Sequence, residues 1–321
     1  MPDYHIFGGI LRSHVEFPEL EPSTAAAPTW ELSRVSRPRP VSALVPLGRE
    51  NVEANVEVTL ASHDEGLRLV FDDTGTFDVL DGGRAIEWTP PPAPRLDAVR
   101  KDLLGRVFAV ALGQQGCATL HGSAVAIAGT AVVFLAPKFH GKSTTATAMV
   151  DAGARLLADD LVPVTLADAP MVLPSVPVVQ LWQDSAERVG GRAATLPAEG
   201  PAPKRQIKWR EPDRNVAAPV PLAAVYLLAP RRPDAATSVS RHRLAGVAAA
   251  LAMLGQAKVG ALIGVQRQAE LMQALATISE KVPVYRLEIP RDFERLTELT
   301  SSLLAWHPPS PPLAAPTRGS T

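Results

Sequence analysis

The chain has 321 residues, enough to bury a sizeable core and to hold two units. Hydrophobic residues make up 46% and charged residues 20%, and the formal net charge of −1 excludes the basic footprint of a nucleic-acid binder. The single cysteine, Cys117, excludes an internal disulfide framework and a cysteine-based zinc cluster; its apolar, helical surroundings predict a buried structural thiol.

The first seven residues carry Asp3 and His5 and no long apolar run, so no N-terminal signal is expected. Residues 1–94 read as a β-rich region. Residues 52–60 (VEANVEVTL), 67–71 and 77–80 alternate in part, with turns at Asp73-Thr74-Gly75 and Asp81-Gly82-Gly83. Thr89-Pro90-Pro91-Pro92-Ala93-Pro94 is a stiff linker and a domain boundary. Residues 97–112 predict an amphipathic helix with Val99, Leu103, Val107 and Val110 on one side.

Strands are expected at 124–128 and 130–135, joined at Gly129, then at 222–228 and 282–289. Helices are expected near 244–254, 262–278 and 293–304. The apolar stretch 244–254 is too short and too interrupted to span a bilayer, so a cytoplasmic protein with no membrane partner is expected. Trp182, Trp209 and Tyr226 read as packing residues, since no basic stripe interleaves them. The Pro-rich tail 308–321 is expected to be disordered.

Chemistry concentrates in 131–163, AVVFLAPKFHGKSTTATAMVDAGARLLADDLVP. An apolar strand passes through a turn to Gly141-Lys142-Ser143-Thr144, a helix of small residues follows, and a second apolar run delivers Asp159-Asp160. This is the order of a nucleotide-binding βαβ unit. The glycine lets backbone N–H groups approach phosphate oxygens, Lys142 supplies a point charge, and the Ser143 hydroxyl suits Mg²⁺. A full phosphate-loop pattern would carry its first glycine at 136, where Ala136 stands; Lys138 and His140 could offset the missing glycines as side-chain donors. A glycine-containing turn before a buried helix is the plain alternative. Consecutive strand residues point to opposite faces, so Asp159 and Asp160 serve one site only if the strand ends there. Lys204, Arg205 and Lys208 form a local basic cluster, read either as a solvated loop or as a contact for substrate phosphate. His121 alone reads as a hydrogen-bonded structural group.

Leu120-His121-Gly122, the strand pair, Gly141-Lys142-Ser143 and Leu157-Ala158-Asp159-Asp160 resemble the catalytic domain of bacterial HPr kinase/phosphorylase. Across about 95–305, the chain is more similar to the HPr kinase-like proteins found beside peptide-modification genes, including lasso-peptide clusters. The segment Pro221-Leu222-Ala223-Ala224-Val225-Tyr226 belongs to that likeness. The resemblance implies an α/β fold with a P-loop kinase core related to HPr kinase and phosphoenolpyruvate carboxykinase, spanning 95–307. It also implies ATP and Mg²⁺ as cofactors and, as acceptor, a serine hydroxyl of a peptide or small protein, such as a ribosomally made precursor. By the same likeness Lys142 neutralises phosphate, Ser143 and Asp159 hold Mg²⁺, Asp160 takes the serine proton, and His121 holds Asp160. The family's glycines at 136 and 139 are replaced, and its phosphorolysis loop has no clear counterpart, which favours kinase activity alone. Two other readings stand beside it: a nucleotide- or peptide-binding pseudokinase, and a small-molecule kinase. Homo-oligomer formation is left open.

Overall fold

The computed structural model describes residues 1–25, 27–53, 56–166, 168–189, 194–195, 204–209, 214–231 and 238–308; most of the Pro-rich tail lies outside them. It is a mixed α/β structure built on two large sheets. Nine strands form the first: β1 (Asp3–Ile6), β2 (Gly9–Ser13), β3 (Glu21–Pro22), β4 (Trp30–Arg34), β5 (Val45–Glu53), β6 (Val56–His63), β7 (Gly66–Phe71), β8 (Gly75–Leu80) and β9 (Ala85–Thr89). Their order is β3-β1-β2-β4-β9-β8-β7-β6-β5. The stretch 52–60, expected as one strand, is divided between β5 and β6, which pair antiparallel with Glu53 opposite Val56.

After the proline segment come α1 (Leu96–Asp102), a π turn (Leu103–Val107) and α2 (Phe108–Gln114). Val99, Leu103, Val107 and Val110 are all buried against the first sheet, beside Leu11, Leu69, Phe77 and Trp88. The expected helix therefore carries an inserted π turn. Cys117 lies beyond α2, half-buried in the turn to β10, and not in a helix as expected. Burial pushes its thiol up to about 11, which leaves it protonated and unreactive near neutral pH.

The second sheet contains β10 (Ala118–Leu120), β11 (Gly122–Ile127), β12 (Thr130–Leu135), then, beyond α3 (Lys142–Asp151), β13 (Arg155–Asp159), β14 (Val162–Thr165) and β15 (Met171–Val172). A three-stranded sheet of β16 (Val179–Trp182), β17 (Ala194–Thr195) and β18 (Lys204–Lys208) follows, with α4 (Gln183–Arg188) between its first two strands. The chain returns to the second sheet with β19 (Val220–Arg231) and β20 (Ser240–Leu244). It ends with α5 (Gly246–Leu254), α6 (Val265–Lys281), β21 (Val284–Pro290) and α7 (Leu296–Trp306). No helix among the described residues is long and apolar enough to cross a membrane.

The run AVVFL is continuous because both faces of β12 are covered. Ala131, Val133 and Leu135 pack with Ala250, Met253 and Leu275 of α5 and α6. Val132 and Phe134 pack on the other face with Met149 of α3 and Leu303 of α7. At about 25 cal/mol per Å², burying a side chain such as Phe134 stabilises the fold by roughly 1.5–3 kcal/mol.

One expectation needs correction. In the βαβ reading β13 has a parallel neighbour; here β11 lies between β12 and β13 and runs antiparallel to both. The tight turn between β11 and β12 inserts that strand. It leaves β12 and β13 pointing the same way, so the phosphate-type loop and the acid pair still emerge at one edge. Gly122 is required where β11 begins, because a Cβ there would sit 2.6 Å from Leu135 Cδ2 and 2.7 Å from the Phe134 carbonyl oxygen.

Candidate functional site

β12 ends at Leu135, and residues 136–141 turn into the N-terminus of α3. Gly141, at φ 85°, precedes the first turn in the left-handed region, where a Cβ is strained. Among the described residues no side chain caps α3, so its first-turn amide groups face the loop without a side-chain acceptor. Phe139 sits at φ 68°, a backbone that favours glycine and costs about 1–2 kcal/mol for an L-residue. Its exposed ring stacks on Trp182, with centroids 5.2 Å apart.

Lys142 is buried, and its ammonium donates to the loop's own carbonyls, Ala136 O at 2.8 Å and Pro137 O at 3.1 Å. Burial lowers its pKa to about 8, against the pull of Asp159 and Asp160, while Lys204 and Lys258 push the same way as burial. His140 turns its Nδ1 onto the Lys138 carbonyl, 2.8 Å away, and Lys138 itself is exposed at the rim. Thr144 lies half-buried in the first turn of α3.

Asp159 closes β13 with a buried carboxylate that accepts from three groups. Ser123 Oγ donates to Oδ1 at 2.5 Å, Ser143 Oγ reaches Oδ1 and Oδ2 at 2.9 and 3.2 Å, and the Gln180 amide donates to Oδ2 at 3.1 Å. Burial raises its pKa, and the same hydrogen bonds oppose the rise. Ser123 stands directly opposite Asp159 in the β11–β13 register, which fixes that pair.

Asp160 does not continue the strand. Its φ is 69°, and the Leu161 amide bonds the Asp159 carbonyl at 2.9 Å across it, which makes a positive-φ γ-turn. That strained turn brings both acids to one site. Lys258 Nζ lies 2.6 Å from Asp160 Oδ2, and His121 Nδ1 lies 3.2 Å from Oδ1 and 3.2 Å from the Asp160 carbonyl oxygen. Asp160 keeps part of its side chain in solvent; the protein packed around it works to raise its carboxyl, but Lys258 and His121 together outweigh that and hold it well below the ordinary range.

The chain thus brings His121, Lys142, Ser143, Asp159 and Asp160 together. Of the basic cluster, Lys204 stands near the loop, its ammonium 5.5 Å from the Trp182 ring centroid. Arg205 is exposed, and Lys208 is tied to Glu21 at 2.5 Å. Trp209 and Tyr226 are buried as packing residues, whereas Trp182 is half-exposed beside the loop.

Lys258 is the residue that sequence reasoning missed. It follows α5 with no motif around it and reaches the site because residues 256–258 run beside β10. There the His121 amide bonds Gln256 O at 2.7 Å, and the Lys258 amide bonds Thr119 O at 2.9 Å. Ser123, two residues after His121, meets Asp159 only through the register of β11 and β13, which nothing local announces.

Among the described residues no group of three or more His, Cys, Asp or Glu is placed to hold a metal. A serine hydroxyl against one carboxylate is a smaller, hard oxygen set. It suits Mg²⁺, which keeps waters and phosphate oxygens as its remaining ligands.

No protein-family profile and no curated protein matches the chain. Among solved structures it is similar to the Hpr(Ser) kinase/phosphatase from Coxiella burnetii, at 12% identity and a TM-score of 0.30. That match covers 59% of this chain and 99% of the other.

Proposed function

We propose that the protein is an ATP-dependent serine kinase acting on a peptide or small protein, with residues 95–307 as its P-loop catalytic domain and 1–94 as a β-rich N-terminal region. The observation that carries this reading is the γ-turn at Asp160. It sets a second, ionised carboxylate beside Asp159, which is already hydrogen-bonded to the hydroxyl in the first turn of α3. Metal-and-phosphate oxygen ligands next to a carboxylate poised for a hydroxyl are the parts phosphoryl transfer needs.

Ser143 and Asp159 would hold Mg²⁺, and Lys142 together with the first-turn amides of α3 would meet the phosphates. Bound Mg·ATP supplies the transferable phosphoryl group and neutralises its charge. Asp160 orients the acceptor hydroxyl and takes its proton as the serine O–P bond forms and the γ-phosphorus bond to the bridging oxygen breaks. ADP leaves with the electron pair. A depressed pKa makes Asp160 a weak base, which suits a loose transition state in which positioning matters more than proton abstraction. Lys258 and His121 hold that carboxylate ionised and fixed.

Single-turnover transfer of labelled γ-phosphate from Mg·ATP to a serine-containing peptide tests the proposal. Asp160→Asn should keep nucleotide affinity and lose about 10²- to 10⁴-fold in transfer. Wild-type rates from that variant would remove Asp160 as base. A second reading, a nucleotide-holding pseudokinase, is favoured by Lys142 being engaged by the carbonyls of Ala136 and Pro137. Nucleotide binding without transfer to any serine acceptor would select it.

A further inference from the structure

Asp159 and Asp160 also line a pocket whose remaining walls the proposed chemistry does not use. The pocket has a volume of about 60 Å³, and its walls include Glu19 from the N-terminal region, Asp97 and Lys101 of α1, Gln180 of β16 and Gln206 of β18. One water needs about 10–15 Å³ of such space, so the pocket holds roughly four to six waters or the tip of one side chain. It is too small for a metabolite and the right scale for a group flanking an acceptor hydroxyl.

Glu19 supplies the independent sign of a ligand. It is only 7% exposed, and its Oε1 accepts from Arg100 Nε at 3.1 Å. Its Oε2 has no hydrogen-bond partner among the described residues. A buried carboxylate oxygen left without a donor costs about 1–3 kcal/mol or more, a cost that a donor on a ligand would relieve. Asp97 carries a second carboxylate, paired at 2.6 Å with the exposed guanidinium of Arg95, while Gln180 and Gln206 offer amide oxygens and amides. Leu104, Val176 and Val178 make the rest of the wall apolar, which suits the stem of a side chain whose polar tip reaches Glu19.

We infer that this pocket is the acceptor subsite and that it takes a cationic donor group, an amine or guanidinium, lying beside the hydroxyl to be phosphorylated. The inference rests on the kinase reading and adds to it a substrate class. It also makes the N-terminal region part of recognition, because residue 19 reads the acceptor at the edge of a site whose chemistry comes from residues 121–258. Ammonium or guanidinium would donate to Glu19 Oε2 while the neighbouring hydroxyl meets Asp160.

The test uses the full-length protein without nucleotide and short acetylated, amidated peptides in which serine is followed by lysine, norleucine or glutamate. Calorimetry should show the lysine peptide binding at least ten-fold more tightly than the glutamate peptide, with norleucine between. Glu19→Gln should cut that ratio several-fold. Because Glu19 also pairs with Arg100 in the interior, circular dichroism checks its fold. Asp97→Asn, on the outer turn of α1, should cut the ratio independently. Equal binding of the three peptides, no binding, or an unchanged ratio in both variants overturns the assignment. Phosphoryl transfer is scored separately. Transfer without charge preference removes the pocket and keeps the kinase; charge-selective binding without transfer does the reverse.

Discussion

Removing either partner of the Lys258–Asp160 pair should destabilise the protein by very different amounts. The ammonium and the carboxylate oxygen are 2.6 Å apart, but the Lys258 side chain is 8% exposed and that of Asp160 is 43% exposed. At that separation the gross attraction is about 1.6 kcal/mol at the dielectric constant of water and about 6 kcal/mol at an effective value near 20. Lys258→Met replaces a long stem with one of similar reach and leaves a carboxylate that water and His121 can still serve, a loss of about 0.5–2 kcal/mol. Asp160→Asn keeps the shape and tolerates the positive φ, but it strands a buried ammonium, a loss of about 3–5 kcal/mol. Thermal melts near neutral pH should therefore place Asp160→Asn several degrees below Lys258→Met, since about 1 kcal/mol moves Tm by roughly 2–4 °C at this scale. The double variant has no stranded charge and should melt above Asp160→Asn alone. If Asp160→Asn melts no lower than Lys258→Met, or the two losses simply add, the burial asymmetry is not what governs this pair.

Two further outcomes follow from strain and from a displaced pKa. Phe139→Ala should lose about 0.5–1.5 kcal/mol, because it gives up the Trp182 stack and keeps the strained φ; Phe139→Gly releases that strain and should fall within about 1 kcal/mol of wild type, both read by urea denaturation. Asp102 has its pKa raised to about 6, chiefly by burial and against a hydrogen bond from Thr74. Since its folded pKa lies above the unfolded one, its charge costs stability above pH 6, and that cost is relieved as pH falls from about 6 towards 4. Asp102→Asn should accordingly stabilise at pH 7.5 by about 1–3 kcal/mol and lose the advantage at pH 4, checked by urea midpoints at both values.

Local order carried much of the site into view. The doubly buried run ending at Leu135, the glycine at 141 and the apolar approach to Asp159 are local patterns, and each marks its element. The helix over 97–112 kept its buried valines and leucine in step through a π turn, because the steps of four from Val99 to Leu103 to Val107 suit either an α turn or the slightly wider π turn. What the sequence hid depends on partners distant along the chain. The place of β11 between β12 and β13 is set by which strands find one another. A bend after Asp159-Asp160 is plausible from two aspartates with Pro163 close behind, but nothing local fixes it as a γ-turn centred on Asp160. Lys258 lies 98 residues from its carboxylate, and Glu19 enters from the turn between β2 and β3. Neither distance leaves a periodicity to read.

The seam between β10 and residues 256–258 gives the site an order of failure. Ser143 and Asp159 are 16 residues apart, whereas Asp160 and Lys258 are 98 apart. Closing the longer loop costs about 1.6 kcal/mol more in chain entropy. Among the described residues, the Gln256 and Thr119 carbonyl contacts and the Leu120–Ala257 bridge stitch that seam along the backbone. A local opening there would unclamp Asp160 and leave the Ser143–Asp159 contact in place. On the proposed function, mild denaturant should cost the protein its grip on a hydroxyl before its grip on phosphate, and a nascent chain should gain the two in the opposite order.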